Sequence, residues 1–182
     1  MSEEAKATGL DFGALIAFVA PGFVAFQGLA YHVKIAASWI QAASEKEQNV
    51  GVFLFVALAS LSIGLAVSGV RALVLDSVLR SRCMCRWRIP ESRLNWALID
   101  DVDLQTLVTI RDNFYRYYQF YANTAVALIL VAAARLVSSQ PKVGCMAQFV
   151  FWAAFIVLLL SARQSFDLYV KGINELVSKK GT

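Results

Sequence analysis

Apolar residues in this chain gather into four blocks, 12–31, 50–70, 118–137 and 143–162, and the segments between them carry nearly all of the charge. Each block holds 20 or 21 residues, about 30 Å of α-helix at 1.5 Å per residue, which matches the hydrocarbon core of a bilayer. None contains Asp, Glu or Lys, and Arg135, near one end of the third block, is the only charged side chain in any of them. The pattern predicts an all-α fold: a four-helix transmembrane bundle with cytoplasmic helical extensions, the whole chain forming a single membrane domain. A secretory leader is the competing explanation of the first block, since the small residues Ala42, Ala43 and Ser44 follow it. The opening MSEEAKATGLD is acidic rather than basic, however, and Pro21 interrupts the apolar region, both contrary to a leader's pattern.

Basic residues set the expected orientation, because cytoplasmic segments of membrane proteins are enriched in Lys and Arg. With the N-terminus inside, the inner segments carry 13 basic residues and the outer ones four, namely Lys34, Lys46, Arg135 and Lys142. Both termini, the loop 71–117 and the tail 163–182 are therefore expected in the cytoplasm of a bacterial cell, with the blocks in its inner membrane. Overall the chain is 58% hydrophobic and 16% charged, with a net charge of +4. Cys83 and Cys85 fall in the inner loop, where thiols stay reduced. Their C-x-C spacing is shorter than a zinc half-site, and the single histidine, His32, lies on the other side. No metal site within one chain is expected; one shared between subunits, or acylation of these cysteines, stays open.

Within the blocks, a few residues depart from an inert lipid-facing surface. Pro21 falls at mid-depth of the first block, where its missing N–H frees the carbonyl of Ala17. Lipid cannot satisfy that carbonyl. Pro21 and Gly22 make either a packing kink or a hinge, and Gln27 further along needs protein or water as a partner. In the second block Ala57, Ser60, Gly64 and Ser68 recur at three- and four-residue steps, a small-residue face suited to close helix packing. Its partner is a helix of this chain or of another copy.

The loop changes character halfway. Its first half has six arginines against two acids, and its second half places Leu104, Leu107, Val108, Ile110 and Phe114 at helical spacing behind Asp101 and Asp103. Acids suit a helix start, and no proline or glycine occurs from Glu91 to Val137, so this helix is expected to run unbroken into the third span. Where it enters, FYRYYQFYAN has six aromatic residues in ten, at the depth tyrosine prefers. The rings surround the helix, so some must meet other helices. Arg111 and Arg116 can reach lipid phosphates or rest on the rings, together with Tyr117, Tyr118 and Tyr121. Asn123, a turn deeper, cannot snorkel and is expected to bond to Ser68, to Gln164 or to its own copy in a neighbour, lining a polar path being the lesser alternative. Phe166, Tyr169, Val170, Ile173 and Val177 continue the fourth span as a helical tail.

The chemistry of enzymes is missing. The spans hold no carboxylate for a proton relay, and the sequence has no Ser/His/Asp set, zinc-ligand spacing, phosphate loop or dinucleotide fingerprint. No catalysis and no cofactor are expected. Nucleic acid is not an expected partner, because stacking platforms need rings on an exposed groove and these rings lie at the membrane. Arg86, Arg88 and Arg93 read as topology, lipid or partner contacts. The stretches PGFVAFQGLA, SGVRALVLD and RYYQFYAN resemble those of a group of short, uncharacterised bacterial four-span inner-membrane proteins. The plan is also similar to the small membrane subunits of bacterial anti-phage defence systems. That resemblance implies self-association and a soluble cytoplasmic partner, with sensing or damage of the inner membrane. The proline in the first span, the small-residue faces and the polar Gln27 and Asn123 point to a channel-like or membrane-perturbing assembly; the alternative is an anchor or scaffold that recruits a soluble protein without permeation.

Overall fold

A computed structural model describes residues 3–44, 50–76, 104–138 and 144–180. Among them the fold is an all-α bundle. Helix α1 spans Glu3–Leu29, α2 Lys34–Ser44, α3 Val50–Arg71, α4 Leu104–Ile110, α5 Arg116–Val137 and α6 Cys145–Lys180. Two five-residue π-helical turns, Ala72–Asp76 and Arg111–Tyr115, extend α3 and join α4 to α5. Three helical stretches are long and apolar enough to cross a membrane: Val50–Val74, Gln105–Val137 and Cys145–Leu176. The first block forms the end of α1, where Ile16–Leu29 is a shorter apolar stretch.

Close backbone approach organises the centre. A β-carbon on Gly22 would overlap the Ser60 carbonyl oxygen, and one on Gly64 would overlap that of Phe18. Glycine at both places lets α1 and α3 touch through their backbones, the arrangement by which small residues bring apolar helices together. The seam on α3 is Val56, Ser60, Gly64, Val67 and Arg71, all buried. Ala57 and Ser68 are only half-buried, so the packed face is turned slightly from the one the small residues alone predict. The partner of the small-residue face is α1 of the same chain.

Helix α5 completes a three-helix core. Ala25, Val67, Val126 and Ala127 cluster there, with Val24 and Ile63 against them. Gly28 faces Val131 of α5, and Ala17 meets Asn123, so α1 and α5 run parallel. Both are antiparallel to α3 and to α6, whose Ala162 and Phe166 meet Ala122 and Tyr118.

Two features depart from expectation. Helix α2 lies between the first two apolar blocks, a segment for which the apolar pattern predicts no element. Its Ala36, Trp39, Ile40 and Ala43 recur at three- and four-residue steps and pack on Phe26 and Val56, with the Trp39 ring 4.8 Å from that of Phe55, edge to face. The helix entering the third span does stay helical from Leu104 to Val137, but through the π turn Arg111–Tyr115 rather than as one α-helix. A π turn adds a residue per turn and so resets which side chains face inward, here just ahead of the aromatic run.

Candidate functional site

Proline, with no N–H, sits inside α1 at position 21, leaving the carbonyl four residues earlier without its helical donor. That carbonyl, of Ala17, accepts a hydrogen bond from Asn123 Nδ2 of α5 at 3.2 Å. Asn123 is 0% exposed and Ala17 1%, and Pro21 is among the largest fully buried side chains. A side chain from a different helix thus stands in for the missing backbone donor. Asn123 does not bond to Ser68 or Gln164: Gln164 is exposed on α6, whereas the parallel packing of α5 on α1 turns Asn123 toward the gap left by Pro21. Asn123 Oδ1 and Ser60 Oγ are buried with no hydrogen-bond partner among the described residues. Both lie in helices packed on α1 around Pro21. Gln27, by contrast, is exposed.

The second cluster is aromatic, with Arg71 against one of its rings. Tyr118 is 2% exposed and Arg71 4%, with the guanidinium carbon 5.1 Å from the ring centroid, within cation–π range. Tyr118 packs at 4.9 Å on Phe166, while Tyr115 lies 5.2 Å from Tyr169. Ala122 and Ala162 are small enough to let these rings close the α5–α6 interface. Tyr117 takes a different route: it is 57% exposed and stacks on Tyr121 at 6.4 Å. Arg116 pairs with Asp112 at 3.1 Å, and Arg111 lies 3.4 Å from the same carboxylate. Such pairs near the surface contribute little. The run is therefore mostly drawn inward: Tyr115, Tyr118 and Tyr121 join the α5–α6 cluster, and of the six rings only Tyr117 is exposed.

Arg71 is the residue sequence reasoning overlooked as a site, counting it only toward orientation. The signal was present: it stands seven residues after Gly64, on the same helical face. Arg86, Arg88 and Arg93 lie outside the described residues, as do Cys83 and Cys85.

At the opposite end of the bundle, His32 Nε2 approaches the Ala134 carbonyl at 2.8 Å, and the Arg135 guanidinium carbon lies 5.4 Å from the Tyr31 ring centroid. These contacts tie the ends of α1 and α5 together. No group of three or more His, Cys, Asp or Glu assembles among the described residues. The assembly offers one buried side-chain hydrogen bond between helices of an apolar bundle and a cation held against a tyrosine ring at one end. No protein-family model, curated protein or solved structure matches the chain.

Proposed function

We propose that the chain is a four-span protein of the bacterial inner membrane that assembles into oligomers with a channel-like or membrane-perturbing action, controlled from the cytoplasmic end through its loop and tail. Support for α1 as a fourth span is its position: it packs against both α3 and α5, two helices long and apolar enough to cross a membrane, and runs parallel to α5. The observation that carries the functional part is the Asn123–Ala17 hydrogen bond. Pro21 costs α1 one backbone hydrogen bond, and the side-chain amide bond that replaces it can be made or open, the kind of bistable element that switching requires. The Arg71–Tyr118 cluster joins α3 and α5 at the end expected to face the cytoplasm, where loop and tail can bias that element. A role in anti-phage defence, with a soluble partner as trigger, is consistent with this design.

Reconstitution into liposomes with a dye-release or conductance readout tests the proposal. Release is expected with the co-expressed partner or trigger present, and Pro21→Ala, which restores a backbone donor to Ala17, is expected to lower it several-fold. Silence under every trigger, or release indifferent to Pro21→Ala, would reject it. The anchor reading is favoured by one feature, the close-packed platform of Tyr115, Tyr118, Phe166 and Tyr169 at the same end of the bundle as Arg71. In a pull-down from membranes, reversing the charge of Arg86, Arg88 and Arg93 is expected to abolish partner recovery if that segment recruits; undiminished recovery would leave it a topology and lipid anchor.

A further inference from the structure

We infer that the outward face of α1, formed by Ile16, Ala20, Phe23 and Gln27, is the surface on which a second copy of this chain docks, with the two Gln27 carboxamides hydrogen-bonded to each other. The inference deepens the proposed function and rests on α1 spanning the bilayer.

The face is defined by what the rest of α1 touches. Ala17, Gly22, Ala25, Phe26 and Gly28 turn toward α3, α5 and α2. Ile16, Ala20, Phe23 and Gln27 are all exposed and follow steps of four, three and four residues. That alternation lines side chains along one seam, as in coiled-coil packing. Three of the four are apolar or small, which lipid would cover without difficulty. Gln27 is the exception.

An unpaired carboxamide in hydrocarbon is costly, and Gln27 has poor access to the boundary. It lies four residues before Tyr31, whose contact with Arg135 marks the end of the bundle, a rise of about 6 Å. Side chains on a helix tilt toward its N-terminus, which for α1 is the opposite end of the bundle. The Gln27 amide is therefore directed deeper into the apolar layer, and snorkelling outward works against its own Cα–Cβ vector. A second copy resolves this. Two chains inserted with the same topology place Gln27 at equal depth, and a two-fold axis along the membrane normal brings the same face of each together. A carboxamide has both a donor and an acceptor, so the pair satisfies itself reciprocally. The glycine-rich seam cannot serve this purpose, being already used between α1 and α3.

Oxidative crosslinking of the full chain in lipid vesicles, in a background with Cys83, Cys85 and Cys145 changed to serine, tests the interface. The A20C variant is expected to form disulfide-linked dimers, while L65C, at an exposed position of α3, is not. Gln27→Leu, on an exposed position where folding is unaffected, is expected to weaken dimer formation about threefold to tenfold, the range for one interhelical polar contact in lipid. A20C shielded from a membrane-impermeant maleimide yet uncrosslinked, or crosslinking equal to that of L65C, would overturn the interface alone. Modification of A20C by that maleimide would overturn the spanning reading of α1 and the interface with it. Dimers formed at A20C in vesicles that never release dye would keep the interface and retire only the permeability proposal.

Discussion

Gly22→Ala is expected to lower stability by about 3 kcal/mol, the upper end for forcing a group into a filled interior. The new methyl would meet the Ser60 carbonyl oxygen, a backbone atom of α3 that no rotamer change can move aside. The two helices must separate, and every contact in the seam from Val56 to Val67 loosens with them. Gly64→Ala is expected to match it from the other side, against the Phe18 carbonyl. Gly69 supplies the control, since a β-carbon there meets nothing within 4 Å. Gly69→Ala should leave stability unchanged or raise it by up to about 1 kcal/mol, the helix-propensity gain of alanine over glycine. Thermal or denaturant unfolding in mild detergent measures all three. Equal losses for Gly22→Ala and Gly69→Ala would mean that α1 and α3 do not meet as described.

Asn123→Ala is expected to cost about 2 kcal/mol, because it leaves the buried Ala17 carbonyl unsatisfied. The informative experiment combines it with Pro21→Ala. Alanine at position 21 brings back an N–H that can bond to Ala17 within α1, so the carbonyl no longer depends on α5. In the Asn123→Ala background the second change should therefore recover about 1 kcal/mol. In the wild-type background it should recover nothing, since it competes with a bond already made. A double-mutant cycle isolates this coupling from the general effect of removing a proline. Additivity within about 0.3 kcal/mol would show that Asn123 is not the stand-in donor.

The pairing of Asn123 with Ala17 marks how far the sequence alone can be read. Each half of it was visible: Pro21 identifies an orphaned carbonyl at Ala17, and an asparagine a turn inside an apolar block identifies an amide in need of a partner. Joining them requires knowing that α5 runs beside α1 in parallel, at a register that aligns residue 17 with residue 123, and no local pattern carries that. The all-helical state was legible because long apolar runs must pair their backbone groups within the helix, and three of the four blocks fall in helices long and apolar enough to cross a membrane, while the first yields only the shorter apolar stretch Ile16–Leu29. The small-residue face was legible in outline, yet its true centre, running through Val56 and Val67, depends on how closely glycine lets α1 approach. Helix α2 was missed because KIAASWIQAAS is short and mixed, and its amphipathic spacing becomes meaningful only once Phe26 and Val56 are placed beneath it. Arg71 was read as a charge to be counted, whereas its burial against Tyr118 follows from the α3–α5 packing.

The partners in the central hydrogen bond are 106 residues apart in the chain. Ribosomes add roughly 5–20 residues per second, so on the order of 5–20 s separates the emergence of Ala17 from that of Asn123. Throughout that interval the nascent first helix carries a bare proline gap with no mate yet made. On the proposed four-span reading, that gap needs shelter, in the insertion machinery or at a hydrated margin, until the third block arrives to close the bundle.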